Sequence, residues 1–340
     1  MQLPLSAFRK LFKDEKADEI DAKAKRAKNI DEQAKRILSL AQKNALTAKE
    51  KSQESMVEFG HIKLYVLESS VRRFVDVFEK IHNIDLENSV GLDELSKYHI
   101  DKQSLLELRM MSVLAVESLG EVPVAASAGA LLTFGAYGAT MTFANAAEGT
   151  AIATLSGMAA KNATLAFLGG GDITVGGGGM FLGTIALAGL VTGPSLFVLS
   201  IASNAYNARN AYVHTTSIES ALDDLAKARD AAEQLSVIEK ACDKIAWHTS
   251  KFSRLLRELD AVFVTLISQL EFIVSARGTD YAQYSEYEQK RVAMVVSLAG
   301  AIKRILDTPI LNEDGGLTRE SELTHAEMLI YQGKIEAVLN

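Results

Sequence analysis

The stretch GGGDITVGGGGMFLGTIALAGLVTGPSLFVLSIASNAY, residues 169–206, decides how the rest of the chain is read. Its two glycine clusters, Gly169 to Gly171 and Gly176 to Gly179, bracket Asp172 and Thr174. Glycine reaches backbone angles that other residues resist, and Asp is a common turn former, so the clusters predict a turn. The uncharged run that follows, Met180 to Tyr206, exceeds the about 20 residues that a helix needs to cross the roughly 30 Å hydrocarbon layer of a bilayer.

The same character extends upstream. Between Val122 and Ala208 the only formal charges are Glu148, Lys161 and Asp172, and 16 of the chain's 23 glycines fall between Gly120 and Gly193. A helical hairpin is predicted, with one arm over residues 122–168 and the other over 180–206. Glu148 and Lys161 mark breaks in the first arm or a polar path through it, and Gly193-Pro194 marks a kink in the second. Small residues recur four apart at Gly149, Ala153 and Gly157, at Gly179 and Gly183, and at Gly189 and Gly193. That spacing lets helix backbones approach closely, a main source of helix association in lipid. In water, each helical glycine costs about 1 kcal/mol relative to alanine, so an ordinary soluble bundle has little use for so many. Asp172 at the turn is hydrated at the tip of an inserted hairpin or must cross the bilayer, and its neutralisation at low pH would ease entry.

Working outward, the flanks read as long amphipathic helices. Upstream, Gly60, Leu64, Leu67, Val71, Phe74, Phe78 and Ile81 alternate steps of four and three and form one stripe, with Arg72, Arg73, Asp76, Glu79 and Lys80 opposite. Asp101 suits the cap of a helix that carries Leu105, Leu106, Met110, Val113 and Leu114 and stops near Gly120. Downstream, Thr216 and Glu219 fit a capping box that opens a helix running to a stop at Gly278. At about 1.5 Å per residue such a helix approaches 90 Å. A second box, Ser285 with Glu288, opens a helix halted by Pro309, and a last helix is expected over residues 318–339.

Composition removes several functions. One cysteine, Cys242, excludes an internal disulfide framework, and it falls on an apolar stripe without the partners of a nucleophile. The six histidines show neither HxxxH nor HExxH spacing, so neither metal nor other cofactor is expected. The glycine clusters lack the GK[ST] ending of a phosphate loop and the acid that follows a dinucleotide fingerprint. No enzyme is indicated. Residues 9–51 carry 13 Lys and Arg against 8 Asp and Glu, within a chain of net charge −7. This reads as a solvated helix face, with anionic lipid as the next possibility and no nucleic acid expected. Residues 1–12 lack the features of a secretory signal. Trp247 is expected to pack between helices, although Trp247, Tyr206 and Tyr212 would also suit a membrane interface.

The expected fold is an all-α, elongated bundle of long antiparallel amphipathic helices around a central hydrophobic hairpin. It divides into an N-terminal helical region (1–120), an insertion hairpin (121–210) and a C-terminal long-helix region (211–340). The membrane-insertion residues are Val122, Gly149, Gly157, Gly169, Gly171, Asp172, Gly176, Gly179, Gly183, Gly189, Gly193, Pro194 and Tyr206.

This arrangement of residues 122–208 among amphipathic helices resembles α-helical pore-forming proteins of the colicin, cytolysin and apolipoprotein-L type. The resemblance implies a soluble form, cytoplasmic or released without a signal peptide, and a form inserted in a lipid membrane, assembled as a homo-oligomer or with a partner subunit. The function it implies is membrane permeabilisation by a toxin or cell-killing effector. The alternative is a permanently anchored helical scaffold that binds partners through its long helices.

Overall fold

The computed structural model describes residues 5–84, 98, 100–121, 131, 134–138, 218–312 and 315–339, with backbone alone at 5–17, 114 and 116–121. Every regular element among them is helical: α1 Leu5–Val66, a π-helical turn Leu67–Val71, α2 Arg72–Phe78, α3 Lys102–Glu121, α4 Ile218–Arg277, a short 3-10 turn Tyr281–Gln283, α5 Glu286–Asp307 and α6 Arg319–Leu339. The chain is all-α over these residues.

Local signals set the ends. The Asp101 carboxylate accepts the Ser104 amide at 2.7 Å, which gives the first turn of α3 one of the partners it lacks. Ser285 and Glu288 form the reciprocal capping box at the start of α5. Gly278 closes α4 at φ +83°, where a side chain would be strained. Pro309 cannot extend α5, which ends at Asp307. The box expected at Thr216 involves a residue outside those described.

Contacts gather the chain into two compact units, residues 1–51 with 192–243 and residues 52–191 with 244–340. In the first unit, α1 and α4 meet along a seam where Ala34 packs with Leu225 and Ala228, and Ala45 with Leu235. Seam positions recur by sevens, Ala27, Ala34, the partly buried Ala41 and Ala48 on one helix and Ala221, Ala228, Leu235 and Cys242 on the other. That is the period of a coiled coil. Lys51 reaches Asp243 at 3.6 Å further along.

The second unit has a larger core. Phe59 packs edge-on against Phe252, and Phe74 lies between Phe78 and Phe263. Residues 292 to 299 of α5 are all buried, so the middle of this helix is enclosed on every side, as a stretch apolar all round must be. Tyr331 of α6 meets Ser297 at 3.0 Å and Glu320 meets Arg304 at 3.0 Å, which makes α5 and α6 an antiparallel pair.

The long helices correct one expectation. Glu58 pairs with Arg257 and Glu271 with Arg73 in the second unit, and the register of the first unit advances in the same sense. Thus α1 and α4 run parallel, not antiparallel. An amphipathic stripe fixes which face is buried but carries no direction, so the pattern was silent on this point. Trp247 also departs from expectation. It is 60% exposed, with the Lys251 ammonium over its ring at 3.4 Å, a surface cation–π contact in place of a packed indole.

Candidate functional site

Val122, Glu148, Gly149, Gly157, Lys161, Gly169, Gly171, Asp172, Gly176, Gly179, Gly183, Gly189, Gly193, Pro194 and Tyr206 lie outside the described residues. The part of the uncharged segment that is described, Leu131 and Phe134 to Gly138, sits inside the second unit. Leu131, Phe134 and Ala136 are buried in the same core as Met56, Phe59 and Ile310.

Glycine makes the approach possible. A Cβ on Gly60 would strike the carbonyl of Leu131, and one on Gly135 would strike the carbonyl of Met56. The relation is reciprocal: in each strand of chain, a glycine and a carbonyl four residues away face their counterparts in the other. Such backbone contact is closed to any residue with a side chain. Gly60 meets Leu131 while Met56 meets Gly135, so the segment runs back along α1. Gly138 makes the same kind of contact with the Asp307 carbonyl at the end of α5.

Residues 134–136 are helical and the turn ends at Tyr137, which leaves carbonyls without partners of their own turn. Lys63 supplies donors. Its ammonium gives hydrogen bonds to the carbonyls of Phe134 at 3.1 Å and Tyr137 at 2.9 Å. The amides of Ile310 and Leu311 both donate to the carbonyl of Ala136, at 2.7 and 3.1 Å. A cation at a helix C-terminus is favoured by the partial negative charge there. The Lys63 ammonium also lies 4.6 Å from the Phe59 ring centroid and 5.5 Å from that of Phe134.

Lys63 is fully enclosed. Burial drives its pKa down to about 7, against the opposing pull of Asp307. Asp307 belongs to a charged cluster in which Lys303 bridges it to Glu107, the latter at 2.9 Å, and these carboxylates hold the Lys303 pKa above the usual range despite burial. Sequence reasoning missed Lys63, because a lysine beside an apolar stripe ordinarily reaches water. The signal was Gly60: the only glycine in the upstream helical stretch stands three residues before it.

His248 and Asp260 are further ionisable groups buried in this unit. His248 Nε2 lies 3.0 Å from Ser321 Oγ, and its ring is 5.9 Å from that of His325. Burial, with His325, Lys251 and Lys244 nearby, lowers the His248 pKa to about 4 although Glu322 pulls the other way. Burial, Lys251 and Arg254 lower that of His325. Asp260 of α4 faces the π-helical turn, where Ser70 hydrogen-bonds its carboxylate, and burial raises its pKa. Cys242 is buried and its thiol pKa is raised, which opposes thiolate chemistry. Among the described residues no cluster of three or more His, Cys, Asp or Glu is placed to hold a metal ion.

One described helix, α4, is long and apolar enough to cross a membrane by length and composition. Leu255, Leu256, Leu259, Phe263, Leu266, Ile267 and Leu270 of that helix are core residues. Comparison of the chain with protein-family models, with curated proteins and with solved structures found no match.

Proposed function

We propose that this chain is a membrane-inserting, pore-forming helical protein, an effector that shelters a hydrophobic hairpin in a soluble state and releases it into a bilayer. The observation that carries the reading is the seat just described. Leu131 and residues 134–138, the described part of an almost uncharged, glycine-rich segment, are held by glycine contacts and by hydrogen bonds from a buried lysine and from the amides of Ile310 and Leu311. Those contacts can be undone without unfolding a helix, since Lys63, Ile310 and Leu311 are outside the segment they hold. An inserted hairpin keeps its backbone hydrogen bonds internal, so the transfer needs no new secondary structure. A homo-oligomer or a partner subunit completes the pore.

The test is dye release from liposomes by the purified full chain over a range of pH and anionic lipid content. Release is expected, enhanced by Gly135→Leu, which overfills the seat, and abolished by Gly183→Leu, which blocks helix approach within the segment. No release under any condition sinks the pore. Recovery of the protein only in the membrane fraction, with no soluble form, favours the permanently anchored scaffold instead.

A further inference from the structure

Helices α4 and α6 meet over a cluster of rings that continues into the seat. His248 of α4 and His325 of α6 both lie against Phe252, at centroid distances of 5.2 and 5.5 Å. Phe252 is fully buried and packs edge-on against Phe59, and the Phe59 ring lies 4.6 Å from the Lys63 ammonium that caps Phe134 and Tyr137. Two phenylalanine rings and one lysine, each in contact with the next, therefore join the imidazole pair to the seat. The pair is held neutral by its surroundings. The Ser321 hydroxyl donates to the Thr318 carbonyl at 2.9 Å, so its oxygen accepts from His248 Nε2, and a further proton must enter at Nδ1. The two imidazole centroids are 5.9 Å apart. Of the charges that act on the pair, Lys244, Lys251 and Arg254 on α4 repel an added proton and Glu322 on α6 attracts it. Glu322 is already held by Lys244 at 3.0 Å. Burial and these cations thus oppose protonation while α6 is docked, whereas an imidazole in water accepts a proton near pH 6.5.

We propose that the His248–His325 pair is an acid sensor for the seat: protonation lifts α6 from α4, and losing the wall behind Phe252 loosens the hold on Leu131 and residues 134–138. Any state in which α6 stands away from α4 exposes both imidazoles and binds protons that the docked state resists, so acid favours it. With His325 withdrawn, Phe252 loses one of the three rings packed against it. Phe59, and with it the Lys63 ammonium, is then less firmly placed under the two carbonyls. Packed cores pass between discrete arrangements, so the loss of one ring contact can be felt at the next. Acid acts here as the trigger of the release proposed above, and this regulation rests on that reading of the seat.

Hydrogen exchange on the full chain without lipid, corrected for the intrinsic pH dependence of amide exchange, tests it. Between pH 7 and pH 5 the opening of residues 321–335 should rise about 20-fold, the factor expected when His248 alone passes from its docked to its exposed proton affinity. Residues 134–138 should open with them, while residues 255–270 keep their protection. His248→Gln combined with His325→Gln should abolish both rises. Lys251→Glu keeps both imidazoles, sets a carboxylate beside them, and should move both rises to lower pH, which tests the sensor even if the double variant folds poorly. Rises that neither variant alters overturn the proposal. So does opening of α6 with residues 134–138 still protected, or loss of protection through residues 255–270 in step with both, which would be general acid unfolding. Opening of the seat by acid without dye release from liposomes would leave the sensor standing and remove the pore.

Discussion

The two units pack helices with different materials. In the first, the seam between α1 and α4 is alanine set against leucine and alanine, such as Ala34 against Leu225 and Ala228. In the second, α4 meets α1 through Phe252 and Phe59 and α2 through Phe263 and Phe74, and α5, buried throughout residues 292–299, joins the same core. An alanine buries little apolar area, whereas an aromatic ring buries about 150–250 Å². Among the described residues the first unit is therefore a thin two-helix seam that should open readily, and the second a core rigid enough to hold a guest segment. That division of labour is what a releasable hairpin needs: the seat must keep its shape when the segment leaves.

The largest effect should come from the aromatic core. Phe263→Ala leaves a cavity beside Phe74 and should cost about 3–5 kcal/mol, read by urea unfolding and by hydrogen exchange in residues 244–340. Equal protection of residues 218–243 and 255–270 in the wild type would break the comparison at its root. Next is the seat. Gly60→Leu drives a side chain into the Leu131 carbonyl and should cost about 1–3 kcal/mol by overpacking, or expel the segment. Limited proteolysis after Phe134 or Tyr137 distinguishes the two, since expulsion speeds cleavage there and strain alone does not.

Lys63 sharpens the contrast through pH. Its pKa in the fold, about 7, lies below the value of an exposed lysine, so between pH 7 and about 10.4 the unfolded chain binds a proton that the folded chain does not. Stability of the second unit must then rise with pH across that window, by at most about 1.4 kcal/mol per unit, and be flat below it. Lys63→Met removes the slope and leaves the carbonyls of Phe134 and Tyr137 with fewer donors. An unchanged slope in the variant would show that Lys63 is charged throughout.

The helices and their ends were legible in the sequence because their causes are local. Ser285 with Glu288, Asp101, Gly278 and Pro309 each act within one turn, and each stands where its chemistry requires. The direction of α4 was not legible, since Leu225 and Leu235 would fill the same stripe whichever way the partner ran. Nor was the seat, because Lys63 becomes a buried cap only when residues seventy or more positions away arrive above it. Trp247 followed the wrong rule: an indole counts as core material until a neighbouring Lys251 gives its face a partner at the surface. The insertion residues from Val122 to Tyr206 stand as a proposal drawn from composition.

The histidine pair between α4 and α6 gives a smaller, acid-side effect. Both imidazoles have lowered pKa values, that of His248 to about 4, so as pH falls from about 6.5 toward that value the unfolded chain binds protons that the folded one resists, and stability falls with it. His248→Gln keeps a polar group for Ser321 while removing one titration, and should flatten the acid limb of the pH–stability curve by about 1–2 kcal/mol. A limb that stays as steep would move its origin to other groups, such as Glu288, whose carboxyl is held down to about 2 by the Ser285 backbone and Arg277.

The smallest effect tests the thin seam itself. Ala34→Gly in the first unit removes one methyl and loosens one helical turn, at a cost of about 1 kcal/mol from propensity alone. In a unit with little buried area that loss should appear as faster hydrogen exchange along much of residues 225–238, because the seam opens cooperatively. The equivalent exposed change, Ala261→Gly on α4 in the second unit, should stay confined to its own turn, since Phe263 and Leu259 beside it remain anchored in the aromatic core. If Ala261→Gly spreads as far as Ala34→Gly, the aromatic core lends α4 no extra rigidity, and the contrast between seam and seat has no physical basis.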